Sequence, residues 1–362
     1  KFQRELVKKN GFTWAKNIYW GNLKQPFKGH NPDWTAQASL EFIEEHKDQP
    51  FYLHCCSTLL HGPNGEWFKS MMEKELASGE GFLKKPINLI DRKSVWERIQ
   101  KAGLTEAEVG YLWMDESLGL ILDKLDELGI ADNTIVVFVS DHGSERKGSL
   151  IKTRGTEIPC LIRWPRVIKP GSVSCGLLQN TDFVPTWFEL AKAKIPKNYH
   201  IDGKSLAAMF KDPTVSIRKY IYGEQGAARA IKTEAFEYIS IRYTDEQITG
   251  ALSKRADRAY KTLLGLSSGI SRARYFHPDI FSADQLYDLS KDPNSQKNVA
   301  HDSGYAEQLK KMKAILTKTV KELGPRPYGD FVPGEGTSDA ETSQKVLDQL
   351  AVYHAKEGKK KK

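Results

Sequence analysis

One run of six residues, Thr134-Ile135-Val136-Val137-Phe138-Val139, constrains this chain more than any other segment. Five of the six are β-branched and none is charged, which predicts a central strand buried on both faces. The clearest helix in the sequence lies just before it. Thr105-Glu106-Ala107-Glu108 reads as a capping box with Thr105 at the N-cap, and Leu112, Met114, Leu118, Ile121, Leu122 and Leu125 recur near the 3.6-residue period. Gly129 stands where a helix ends in the left-handed conformation. Helix, turn and buried strand in that order predict an α/β fold, with a mixed, mostly parallel sheet flanked by helices.

Other segments extend the pattern. Asp33 reads as the N-cap of a helix running to His46, with Ala38, Phe42 and Ile43 on one face. Residues 51–56 form a compact apolar run that reads as a second buried strand, and Cys55 and Cys56 within it read as small buried hydrophobes. A third such run covers 158–164, and 182–193 reads as a helix. Beyond about residue 215 the pattern changes. Short runs at 219–222, 228–232, 236–243 and 285–289 predict an antiparallel sheet, followed by a strongly periodic helix over 305–323. The expected division is therefore an α/β core over 1–214, a smaller α+β subdomain over 215–325 and a loosely attached tail over 326–362.

Composition narrows the function. Of the net charge of +8, four units sit in the terminal lysines 359–362. The remainder, with no basic and aromatic stripe, is too little to argue for a nucleic-acid partner. No apolar run reaches the roughly 18 residues of a membrane span. The four cysteines form neither a CxxC pair nor a zinc spacing. The first residues show no initiator Met and no signal h-region, so the sequence is expected to begin partway through a longer protein.

The chemistry concentrates after the first strand. Ser140-Asp141-His142-Gly143 leaves its carboxyl end, the edge where open α/β sheets bind ligands. A Ser-His-Asp triad is disfavoured, because consecutive residues leaving a strand point in alternating directions. Metal binding fits better: Asp141 offers a hard oxygen, His142 a further donor, and Gly143 lets the chain turn away. The competing reading is an aspartate that caps the next segment. His61 lies in the loop after the run 51–56 and can reach the same edge, or be a surface histidine. Lys147 and Lys152 fall in the charged stretch that follows Asp141, where a lysine neutralises charge on a leaving oxygen, unless the stretch is a solvated loop.

The stretch from Tyr111-Leu112-Trp113-Met114-Asp115-Glu116 through Leu128-Gly129 to Ser140-Asp141-His142-Gly143 resembles the type I, formylglycine-dependent sulfatases of the alkaline phosphatase superfamily. Pro50-Phe51-Tyr52-Leu53 with His61-Gly62-Pro63 is similar to that family's strand and His-x-Pro loop. Ile158 to Pro165, Thr181-Asp182-Phe183-Val184-Pro185-Thr186, Asp202-Gly203-Lys204-Ser205-Leu206 and Gln285-Leu286-Tyr287-Asp288-Leu289 follow its later segments in order. The resemblance implies an alkaline phosphatase-like fold and a secreted or periplasmic, Ca2+-dependent hydrolase of sulfate esters. It implies a sulfated small molecule or polysaccharide as substrate. It also implies roles: Asp141 and His142 as metal ligands, His61 as sulfate binder or proton donor to the leaving alkoxide, and Lys147, with Lys152 as the alternative, as the lysine on a sulfate oxygen. The family's nucleophile is a formylglycine made within a Cys/Ser-x-Pro-x-Arg motif, and its calcium site uses an Asp-Asp pair. This chain contains neither. The nucleophile is therefore expected in an N-terminal segment outside this chain, which alone should be inactive. Two other readings are a phosphoesterase of the same superfamily, needing a two-metal site with more ligands, and a non-catalytic carbohydrate-binding remnant.

Overall fold

A computed structural model describes residues 2–19, 29–62, 64–73, 77–143, 153–225, 228–242 and 282–323. The chain forms two compact units, residues 1–135 with 164–166, and residues 136–163 with 167–362. The expected tail at 326–362 and the stretch 243–281 lie outside the described residues.

The first unit is helical. It holds α1 (Phe2–Lys9), α2 (Pro32–His46), α3 (Gly65–Met72), the short hairpin β1 (Ala77–Ser78) and β2 (Gly81–Phe82), α4 (Arg92–Lys101) and α5 (Val109–Glu127). The cap of α2 is Asn31, whose side chain accepts from the Trp34 amide at 3.2 Å, with Pro32 at the first helical position. Asp33, expected as the cap, lies inside the first turn and is fully buried. Its Oδ1 accepts the Leu89 and Ile90 amides at 2.8 Å each, and its Oδ2 accepts from Arg92 at 3.0 Å. Arg92 in turn lies 4.8 Å over the Trp113 ring. A buried pair held this completely costs about 3–5 kcal/mol to break by removing one partner.

α5 is the centre of this unit and packs on α2, α3 and α4. Trp67, Met71, Val95, Ile99, Val109 and Trp113 make the core. Of the apolar set expected on α5, only Leu125 is fully buried, because the helix turns Val109 and Trp113 toward its neighbours and leaves Leu118, Ile121 and Leu122 half-buried. The Thr105 amide and hydroxyl donate to the Glu108 carboxylate at 2.8 and 2.7 Å. That contact fixes the turn ahead of the helix rather than its first residue. Gly129 has φ +68° and donates to the Asp126 carbonyl, as a left-handed helix end requires.

Residues 51–56 correct the sequence reading. Among the described residues they pair with no strand. Phe51 and Leu53 are half-buried, Phe51 edge-on to Phe42 at 5.8 Å, while Tyr52, His54, Cys55 and Cys56 are exposed. The run is extended but one-sided, and an apolar run alone does not distinguish one covered face from two.

In the second unit, β3 (Val136–Val139) pairs antiparallel with β4 (Cys160–Arg163), from Val136 opposite Arg163 to Val139 opposite Cys160. β3 was expected to be buried on both faces. Its residues are half-buried or exposed, and Leu161 opposite Phe138 is 64% exposed. A β-branched run specifies extended backbone, not how many strands or helices cover it. Every ladder among the described residues is antiparallel.

After α6 (Thr153–Thr156), β4, α7 (Phe183–Leu190) and α8 (Ala207–Lys211) comes the expected antiparallel sheet. It comprises β5 (Ile221–Gln225), β6 (Ala228–Lys232), β7 (Phe236–Ile241) and β8 (Asp284–Asp288), in sequential order. α9 (Ala306–Leu323) packs on β6 and β7, burying Ile231, Tyr238, Leu286, Met312 and Leu316. Two carboxylates on β8 tie this layer together. Asp288 accepts from Ser290 at 2.5 Å and Tyr305 at 2.9 Å, and Lys291 lies at 3.1 Å; these contacts, Ser290 foremost, hold its carboxyl down to about 2. Burial pushes Asp284 up, but Lys313 at 2.7 Å, Tyr238 and Arg242 outweigh it and the net direction is down. Both folded-state values lie below the unfolded one, so their stabilisation is present above about pH 4 and is lost as pH falls toward 2. Denaturant midpoints measured from pH 6 to pH 2.5 should fall steeply below pH 4, and Asp288→Asn should flatten that fall. An unchanged slope in the variant would remove Asp288 from the account.

Candidate active site

The strand end predicted to carry chemistry is shaped by its own backbone. After β3, the Ser140 hydroxyl donates to the His142 carbonyl at 3.0 Å, and the Gly143 amide donates to the Gly155 carbonyl at 2.9 Å. The first bond closes a tight turn over 140–142 and the second ties the end of that turn to Gly155. The Asp141 side chain is 79% exposed, and His142 is 28% exposed. His142 Nδ1 lies 2.8 Å from the Gly143 carbonyl, which can only accept, so Nδ1 carries the proton and the neutral ring keeps a lone pair on Nε2. That Nε2 lies 3.8 Å from Asp141 Oδ1. The turn therefore offers a hard carboxylate oxygen and an imidazole nitrogen side by side.

His61 belongs to the first unit, in the loop between residue 56 and α3. Its carbonyl accepts from Trp67 Nε1 at 3.0 Å, and Trp67 is buried in the core, so the loop backbone is anchored from below. The ring itself is exposed. Its Nδ1 lies 3.1 Å from the Gly62 carbonyl, which again leaves Nε2 as the free nitrogen. A second histidine touches the same loop: His30 Nδ1 lies 2.9 Å from the Thr58 hydroxyl, and the His30 amide donates to Ser70 Oγ. The one sequence signal for it was its place in the turn directly before α2. Lys147 and Lys152 lie outside the described residues.

Asp141 and His142 suit a divalent cation in donor type and spacing, and would fill only two of the roughly six to eight positions that a cation such as calcium takes. Among the described residues no group of three or more His, Cys, Asp or Glu is arranged to hold a metal. No described helix is long and apolar enough to cross a membrane.

Comparison with known proteins adds the family context. Residues 5–193 match the family model described as Sulfatase, and residues 147–247 match that of the N-sulphoglucosamine sulphohydrolase C-terminal region. An ulvan-active sulfatase of Formosa agariphila is 30% identical over 214 residues, covering 55% of this chain and 38% of that protein. An N-acetylglucosamine-6-O-sulfatase of Bacteroides thetaiotaomicron is 28% identical over 231 residues, covering 62% and 36%. The chain thus spans under two fifths of the length of these relatives. Among solved structures, one from a study of glycosaminoglycan metabolism by B. thetaiotaomicron superposes with a TM-score of 0.54 at 22% identity, covering 80% of this chain and 55% of that one. Another, bound to its substrate D-glucosamine-2-N,6-O-disulfate, gives 0.52 at 19% identity, covering 82% and 70%.

Proposed function

The chain belongs to the sulfatase family and shares the α/β, alkaline phosphatase-like fold of its solved relatives, and from that premise we propose that it supplies the cation-binding and leaving-group part of a site that hydrolyses sulfate esters. The observation that carries this reading is the turn after β3, where Asp141 and the Nε2 of His142 stand together at the exposed end of a strand. Asp141 and His142 hold a divalent cation, calcium by the family resemblance, which supplies Lewis-acid polarisation when bound. His61 acts on the leaving alkoxide as an imidazolium, giving up the proton on Nε2, or binds the sulfate. Lys147 neutralises a sulfate oxygen, with Lys152 as the alternative.

These 362 residues contain neither the nucleophile, since no Cys/Ser-x-Pro-x-Arg motif occurs in them, nor the Asp-Asp pair of the family's calcium site. The reading assigns the nucleophile, as a formylglycine, to sequence outside this chain. Residues 1–214 carry the chemistry in this scheme and 215–325 support it. The substrate is a sulfated carbohydrate, a choice supported by what the ulvan-active and N-acetylglucosamine-6-O- relatives are named for. The working location is periplasmic or extracellular.

The test is reconstitution. Joined to a sulfatase segment that bears the motif and is matured to formylglycine, the chain should hydrolyse an aryl sulfate in calcium and stop in excess EGTA. A folded, matured fusion with no turnover in calcium overturns the reading. In the active fusion, His61→Ala should lower kcat about 100-fold or more on alkyl sulfates, whose leaving groups need protonation, and far less on p-nitrophenyl sulfate. Equal losses on both would rule out the proton-donor role.

A further inference from the structure

The loop after α7 carries a feature that the sulfate chemistry leaves unused. α5 and α7 end in the same hydrogen-bonded motif. In α5 the left-handed position is Gly129. In α7 it is Lys192, with φ +53°, its amide bonded to the Glu189 carbonyl at 3.0 Å and the next amide to the Phe188 carbonyl at 2.9 Å. A side chain at that position is disfavoured sterically, and backbone preference alone would put glycine there. A lysine held against that preference asks for a reason outside the helix end.

The surroundings supply one. Every residue from 191 to 200 is exposed, and the stretch contains Lys192, Lys194 and Lys197 but no Asp or Glu. Among the described residues none of these three ammonium groups is in an ion pair. The acids flanking the stretch are Glu189, exposed on α7, and Asp202, which lies 2.9 Å from His200. Ile195, between Lys194 and Lys197, is 47% exposed, and Tyr199, two residues after Lys197, is 54% exposed. The chain's modest net charge conceals this local concentration. Unpaired cations in the same exposed loop as an aromatic side chain suit a flexible polyanion that also has apolar faces, which describes a sulfated sugar chain: sulfates would meet the lysines and a pyranose face the tyrosine.

We propose that the loop 191–200 is an anchoring surface for a sulfated polysaccharide, additional to the turn after β3. The choice of a sulfated partner over other polyanions rests on the function proposed above; the surface itself does not. The experiment is binding of the full chain to dextran sulfate, with unsulfated dextran as control, across a salt series. The wild type should bind dextran sulfate and not dextran. The triple variant K192Q/K194Q/K197Q should bind about tenfold or more weakly near 0.1 M salt, and its slope of log Kd against log salt should fall by about two to three, one for each lost cation. The triple arginine variant should keep the wild-type affinity, and Tyr199→Ala should weaken binding severalfold with the slope unchanged. Unchanged affinity in the triple glutamine variant overturns the proposal, as does equal competition by duplex DNA of matched charge. Because no turnover is needed, an inactive fusion with intact dextran sulfate binding defeats only the hydrolase reading. An active fusion that ignores dextran sulfate defeats only this one.

Discussion

In the reconstituted fusion, Asp141→Ala should abolish calcium-dependent turnover, with kcat/KM down by about a thousandfold or more. The magnitude follows from the cation's task. Stabilising charge on a transferring sulfuryl group by a bound divalent ion is worth several kcal/mol, and about 4 kcal/mol corresponds to three decades of rate. Asp141 offers the only negative charge among residues 140–143, and the nearest charged partner described for its carboxylate is His142 Nε2 at 3.8 Å, too far for a hydrogen bond. Its loss removes a ligand without disturbing packing, since the side chain is exposed. Unfolding transitions of wild type and variant should therefore coincide without calcium and separate when it is added. Wild-type turnover in the variant, or equal stabilisation by calcium, would take Asp141 out of the site.

The second large effect is on stability. Gly203→Ala should lower stability by about 3–5 kcal/mol, a drop in Tm on the order of 10 °C. A Cβ at Gly203 would stand 2.0 Å from the Thr181 carbonyl oxygen and 3.0 Å from the Asp182 amide nitrogen, both backbone atoms. Neither can withdraw, because the neighbouring Asp182 is the knot of this region. Its carboxylate accepts the Gln179 amide at 2.7 Å and the Lys204 amide at 2.8 Å, and it is paired with Arg218. Its carbonyl accepts the Thr186 hydroxyl at 2.6 Å, whose oxygen accepts the Leu206 amide at 2.8 Å. Moving Thr181 aside strains a fully buried carboxylate and its arginine together. Gly223→Ala on β5, where the added carbon would meet nothing within 4 Å, is the control and should change little. Equal melting of the two variants would mean that the close approach does not matter.

What the sequence disclosed divides along a physical line. α2, α5, α9 and the strands β6 to β8 could be read because their signals are local: a 3.6-residue stripe, a turn, an alternating run. The misreadings were all statements about neighbours. Residues 51–56 and 134–139 announce extended backbone, but coverage of their faces depends on segments far away in the chain. Asp33 looks like a cap because caps are judged within four residues, whereas its partner Arg92 is 59 residues on. The Asp182 knot draws on Arg218, 36 residues distant, and no pattern in either segment declares it. For the candidate site, Asp141 and His142 could be found because a strand end fixes their place. His61 is legible as a loop residue, and its exposure agrees with the surface alternative, but its tie to Trp67 depends on a contact that no local pattern declares. His30 was passed over because nothing in a turn sequence says what the ring will touch.

The narrowness of the β3–β4 ribbon sets the terms on which anything binds at its end. Among the described residues four register pairs joined along one edge make up this ribbon, and a two-stranded ribbon is expected to open more readily than the four-stranded layer beneath α9. The carboxylate and imidazole are thus mounted on a spring rather than on bedrock. If the proposed cation binds there, it must also hold the ribbon shut, and its affinity would then be weaker than the donors alone would give, by the fraction of time the ribbon already stands closed.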